Sequence, residues 1–192
     1  MTSCSRIIGL CGLVLAVSLA PSSARADAGS DGAPTRAVSV HLPALLAAGV
    51  AAQYEAMAWY PRMTWAASAG VRATASGDYR SLALNLGGHL RYYFMGRSWR
   101  SRWRGTLLGP FAGVRLDITR TTIRDRIADR DLSASLTIAE YVEVGYRFGL
   151  YGRVEITPSV GLGGRTDIDE SGFLPATSRP VLTAGLTAGW LF

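Results

Sequence analysis

Hydrophobic side chains recur at every second position along most of this chain. The last twelve residues show the pattern best. Leu182, Ala184, Leu186, Ala188, Trp190 and Phe192 share one face, and Val181, Thr183, Gly185, Thr187, Gly189 and Leu191 share the other. A period of two describes a strand with two unlike faces. The same reading predicts strands over 62–75, 80–95, 106–120, 132–148 and 151–165. In the first of these Met63, Trp65, Ala67, Ala69, Val71 and Ala73 lie opposite Arg62, Thr64, Ser68, Arg72 and Thr74. Residues 37–58 are interrupted. Val38, Val40 and Leu42 alternate, Pro43 opens a P-A-L-L-A-A stretch that reads as a helical turn, and alternation resumes at Gly49.

Strands with one greasy face and one small or charged face fit a closed antiparallel β-barrel whose outside meets lipid. In lipid only helices and closed barrels satisfy their backbone polar groups. Single-chain bacterial barrels have an even strand count. Splitting 37–58 into 37–42 and 49–58 gives eight strands, so the fold class expected is all-β, a closed transmembrane barrel of eight strands. Parity then places the connections 43–48, 76–79, 121–131 and 166–180 at the external end and 96–105 at the periplasmic end. One residue offends the pattern. Glu140 falls on the greasy face of 132–148, which predicts a bulge there or a position near the membrane boundary.

The amino terminus changes the picture of where the chain goes. Arg6 precedes a 14-residue apolar run, Ile7 to Ala20, and Ala24-Arg25-Ala26 is a small-x-small cleavage site. That is the pattern of an export signal, and the run is short for a spanning helix. Removing 1–26 leaves 192 − 26 = 166 residues: a polar lead, 27–36, and the barrel, 37–192. Cys4 and Cys11 leave with the signal, so the mature chain offers no disulfide and no thiolate metal site. All 20 basic residues are arginine, against 14 acids, and the net charge of +6 falls to +4 without Arg6 and Arg25. That balance is not a nucleic-acid footprint.

The inward positions hold the candidate chemistry: Glu55, Arg72, Arg91, Arg115, Asp117, Glu143, Arg147, Arg153, Glu155 and Arg165. An eight-stranded barrel is just filled by its side chains, and buried charges there must pair. The expectation is a polar plug; the alternative is an ion path or small-ligand site. His41 and His89 also face inward, but no local hydrolase or zinc motif accompanies them, so no catalytic or metal-ligating residue and no cofactor is assigned. Gly161, Gly163 and Gly164 follow no helix and serve tight strand bending, not phosphate. The connection 96–105 carries Arg97, Trp99, Arg100, Arg102, Trp103 and Arg104. Tryptophan settles at headgroup level and arginine pairs with phosphate, so this loop is a headgroup anchor or a specific anion site.

Three stretches, S-V-H-L-P-A-L-L-A-A-G-V-A-A-Q-Y-E at 39–55, R-Y-Y-F at 91–94 and V-E-V-G-Y-R-F at 142–148, resemble an uncharacterised family of small bacterial outer-membrane barrels. The architecture is similar to barrels of the OmpX type, although the loops here are short. The terminal Trp190 and Phe192 resemble the assembly signal of such proteins. The resemblance implies the bacterial outer membrane as location, with its lipids and the barrel-assembly machinery as partners. It implies no catalytic residues. The function expected is a non-enzymatic structural or interaction role with a plugged interior. A lipid-modifying hydrolase and a narrow pore are the alternatives.

Overall fold

The computed structural model describes residues 35–58, 60, 62–94, 107–150, 153–170 and 177–192. Eight antiparallel strands form a closed ring in chain order: β1 (Arg36–His41), β2 (Gly49–Met57), β3 (Met63–Ser76), β4 (Tyr79–Tyr93), β5 (Gly109–Asp125), β6 (Arg130–Leu150), β7 (Val154–Asp169) and β8 (Thr177–Leu191). One short helix, α1 (Leu42–Leu46), stands between β1 and β2. The split of 37–58 is therefore what the chain does. Pro43 starts the helix, where its missing N–H costs nothing.

The ring closes through β1 and β8, with Ala37 opposite Leu191 and His41 opposite Thr187. A path along registered partners measures its stagger. From Val38 it passes Tyr54, Ala67, Gly88, Leu116, Glu140, Gly164 and Pro180. The β1–β8 register then returns it level with position 48, so the shear is 48 − 38 = 10. Eight strands with that shear tilt by about 40° from the ring axis.

Outward faces carry the greasy set, and the interior carries the polar set. Leu84, Leu86, Val114, Val142, Val160 and Leu182 are exposed on the outer wall, while Gln53, Glu55, Arg147 and Glu155 are buried inside. Outward aromatics gather at the end where β1 begins and β8 ends, the terminal end. Tyr54 packs on Trp65, Tyr92 on Phe94 and Tyr146 on Phe148, with Trp190 and Phe192 at the same level. With the shear and tilt above, these eight rings fall in a band about 11 Å tall. The connections after β2, β4 and β6 lie at this end, as parity requires, and those after β1, β3, β5 and β7 at the other.

The polar ends of the hairpins run further than hydrophobic alternation shows. β5 continues to Asp125 and β6 starts at Arg130, so 121–131 is mostly strand and only a four-residue turn remains. Asp125 Oδ1 accepts from the Ile127 and Ala128 N–H groups and holds that turn. Likewise β7 reaches Asp169 and β8 begins at Thr177, inside the stretch expected as a loop. The backbone ladder continues after the outward side chains turn polar at Thr122, Thr166 and Ser178. Glu140 corrects the expectation at that residue. Its register with Leu116 and Gly164 is unbroken, and the bulge in β6 lies instead beside Ile123 and Arg124. It sits inside the outward apolar surface, between Ile138 and Val142.

A Cβ on Gly163 would run into the Glu140 carbonyl of the neighbouring strand, whereas one on Gly88 would meet open space. Gly163→Ala is expected to destabilise by about 1–3 kcal/mol through overpacking, and Gly88→Ala by far less. Denaturant unfolding of the two variants checks the difference.

Candidate functional site

The interior at the terminal end is filled by one charged cluster centred on Glu55. Its carboxylate is wholly buried. It accepts from Arg147 Nη2 at 2.5 Å, Arg91 Nη1 at 2.8 Å, Thr64 Oγ1 at 2.6 Å, Tyr93 OH at 3.0 Å and Gln53 Nε2 at 3.2 Å. Five donors on one carboxylate leave no lone pair without a partner, which is what a buried charge requires. The two guanidinium groups then reach outward to further acids. Arg91 Nε donates to Glu143 at 2.6 Å, and Arg147 Nε pairs with Glu155 at 2.5 Å and donates to Thr157 at 3.1 Å. Aromatic faces cover the rest: Arg91 stacks over Phe111 at 4.7 Å and Arg147 over Tyr93 at 5.6 Å. Alternation explains why these groups converge. They sit at inward positions of β2 to β7, and the register brings Glu55 level with Ala37 and Ala66, small neighbours that leave it room.

Of the ten inward charges expected to form the plug, five do: Glu55, Arg91, Glu143, Arg147 and Glu155. Arg115 and Asp117 form a separate pair at 2.6 Å, higher in the ring. Arg165 pairs with Asp167 at 2.8 Å near the far end, where Arg179 also reaches Asp167 at 3.5 Å. Arg72 faces inward but is exposed and makes no ion pair among the described residues. Arg153 is a correction. It stands in the turn just before β7, exposed at the terminal rim, and makes no ion pair among the described residues. Arg97, Trp99, Arg100, Arg102, Trp103 and Arg104 lie outside the described residues. Trp190 faces outward and is half exposed, and the Phe192 carbonyl accepts from Thr35 and Arg36 N–H, which ties the two termini together.

The structure also lines up Ser68, His89 and Glu143. Ser68 Oγ lies 3.4 Å from His89 Nε2, and His89 Nδ1 lies 3.5 Å from Glu143 Oε1. The order hydroxyl, imidazole, carboxylate is that of an activated nucleophile. Here Arg91 Nη2 also stands 3.3 Å from Nδ1. A guanidinium hydrogen favours a bare Nδ1 with the proton on Nε2, where it faces Ser68, whereas the Glu143 carboxylate favours the proton on Nδ1. The row joins residues 21 and 54 positions apart, so no local motif could announce it; only the strand register does. Among the described residues no group of histidine and acid side chains could hold a metal ion.

Comparison with protein-family models, with curated proteins and with solved structures gives no match to this chain.

Replacing Glu55 by Gln leaves Arg91 and Arg147 buried beside a neutral amide. The expected loss is on the order of 3–5 kcal/mol. Adding Arg147→Met to that variant should cost less than the two single losses combined, because the second change removes one stranded charge. A double-mutant cycle by chemical denaturation reads both outcomes.

Proposed function

We propose that this chain is an outer-membrane β-barrel with a structural or interaction role, held shut at its terminal end by the Glu55 cluster. One observation carries the membrane reading. The outward face is apolar over a height of about 25 Å, measured from the middle of the aromatic band to the level of Arg120 with the shear and tilt given above. A band of that height, edged by aromatics, is the outer surface of a membrane barrel. Its upper edge is marked by arginine. Arg80, Arg120 and Arg124 point outward there, and Arg120 is held by both oxygens of Glu170 at 2.9 Å. No described helix is long and apolar enough to cross a membrane.

The closed terminal end supports a non-conducting role over a pore. Glu55, Arg147 and Glu155 show no accessible surface, and Tyr93 and Phe111 pack beside them. The resemblance to small outer-membrane barrels and the export-signal pattern of residues 6–26 support the same location. Lipids of that membrane and its assembly machinery are the partners this reading names.

Arginine replacing a lipid-facing residue costs about 2–4 kcal/mol at the bilayer midplane. Leu84→Arg should therefore block insertion into phospholipid vesicles far more than Asn85→Arg, whose side chain enters a polar interior. Heat-modifiable gel mobility reports the folded fraction, and equal tolerance would overturn the membrane reading.

Topology has its own test, since the chain without its signal has no cysteine. β4 and β5 both meet the connection 95–108 at the terminal end. Ser101→Cys should resist a membrane-impermeant maleimide on intact cells, while Gly172→Cys labels at once. Labelling of position 101 on intact cells would invert the orientation.

A further inference from the structure

The plug fills only half of the ring. Beyond it, towards the far end, lies a cavity of about 430 Å³. Small inward residues make it: Gly49, Ala51, Gly70, Ala83 and Gly185 stand where side chains would otherwise fill the interior. Its charged lining is all of one kind. Arg72 and Arg115 face it, with the neutral side chains of His41, Asn85 and Thr119, and no carboxylate does. Arg72 has no ion partner among the described residues. Arg115 gives its Nη2 to Asp117 and keeps its buried Nε without an acceptor, and the buried His41 Nε2 is likewise unpartnered. Buried N–H groups without acceptors are costly, and an anionic oxygen would satisfy them.

The wall beside this cavity is incomplete. β1 pairs with β8 only from Thr187 to Leu191 and with β2 only from Ala52 to Ala56. Above that level no strand joins β8 to β2. The helix α1 stands in the gap, touching both, with Pro43 and Ala44 on the cavity and Leu46 92% exposed on the outside. Val50 and Ala184, which face outward, also line the cavity, so it reaches through the wall. By the shear and tilt above, the gap falls in the half of the apolar band away from the termini.

We propose that this chamber binds an acyl-chain anion that enters sideways: its carboxylate or phosphate head sits between Arg72 and Arg115, and its chain lies in the slot beside α1. Arg72, without an ion partner among the described residues, and the free Nε of Arg115 supply donors for the head. The slot, edged by Leu46, Val50 and Ala184, supplies an apolar channel for the tail. The cationic chamber depends on the ring alone, while the acyl source depends on the membrane reading.

The test titrates the folded protein, in nonionic micelles, with carboxyl-¹³C dodecanoate followed by NMR. Saturable binding of one dodecanoate per chain is expected. Dodecanol, citrate and inorganic phosphate should each bind roughly tenfold more weakly or worse, because each lacks head or tail. Arg72→Gln should weaken dodecanoate roughly tenfold, as should Arg115→Gln, while Arg80→Gln on the outer wall leaves it unchanged. Arg72 is exposed and unpaired, so its variant keeps the test valid should Arg115→Gln misfold. Ala184→Trp, which fills the slot from outside, should abolish binding without loss of folding. Citrate or phosphate binding as tightly as dodecanoate would overturn side entry. No saturable binding, or indifference to Arg72→Gln, would overturn the site. Dodecanoate binding by a chain that fails to insert into vesicles would sink the membrane reading and leave the chamber standing.

Discussion

An eight-stranded ring has an interior too narrow for bulk water and too wide to be closed by backbone alone, so side chains from facing strands must meet across it. In this chain they meet at Glu55. Its carboxylate receives Arg147 from β6 and Arg91 from β4, and these two guanidinium groups carry the contact on to β7 through Glu155 and to β6 through Glu143. The cluster therefore cross-links β2, β4, β6 and β7, which the backbone ladder joins only around the circumference. Burying such charges costs several kcal/mol per ion and is recovered only with full pairing. Thr64, Tyr93 and Gln53 complete the pairing of Glu55, while Arg147 Nη1 and Glu155 Oε1 stay buried without a hydrogen-bond partner. A geometry this demanding selects one register, since a slip of a single residue would turn every member of the cluster to the outer wall.

The contrast between the two halves of the interior follows from side-chain size. At the terminal end the long or aromatic side chains of Arg91, Tyr93, Phe111 and Arg147 fill the space over small neighbours such as Ala37 and Ala66. At the other end Gly49, Ala51, Gly70, Ala83 and Gly185 take inward positions, and of the arginines on the cavity Arg115 keeps Asp117 while Arg72 has no ion partner among the described residues. Both arrangements have the same alternation and the same shear. The difference lies in volume and in charge balance, so one half locks the ring and the other leaves a site within it.

Much of the architecture is legible without coordinates. The period of two, the break at Pro43 and the parity of the strands give the eight-stranded ring and the end at which each connection lies. Strand ends are less legible, because hydrophobic alternation fades at Thr122, Thr166 and Ser178 while backbone pairing goes on. Inward orientation is legible too, which is why Glu55, Arg91, Glu143, Arg147 and Glu155 stand out from the chain alone. Height is not. Arg153 and Arg147 both point inward, yet one lies at the rim and the other at the centre, and only the register with β8 and β5 tells them apart. The chamber is illegible for the same reason. Gly49, Ala51 and Gly70 read as unremarkable small residues until β2 and β3 are registered and set them side by side.

Glu140 shows how the wall tolerates a charge that alternation alone forbids. It faces outward, flanked along β6 by Ile138 and Val142 and across the ladder by Leu116. Its other neighbour is Gly164, and a Cβ built there would lie 3.5 Å from Glu140 Oε1, so the carboxylate rests over a residue with no side chain. The stagger makes each registered step from β6 to β7 climb by about 3 Å towards the far rim. The side chain thus leans away from the middle of the apolar band and towards the arginine edge. Were this surface to face lipid, as proposed above, a carboxylate would cost less than an arginine, and less again with distance from the midplane. A Cβ at 164 would make ordinary contact with the carboxylate, so only a longer side chain there would push it back among Leu116, Ile138 and Val142. The glycine is therefore part of the accommodation of the charge, and the two positions have to be read as one feature of the outer wall.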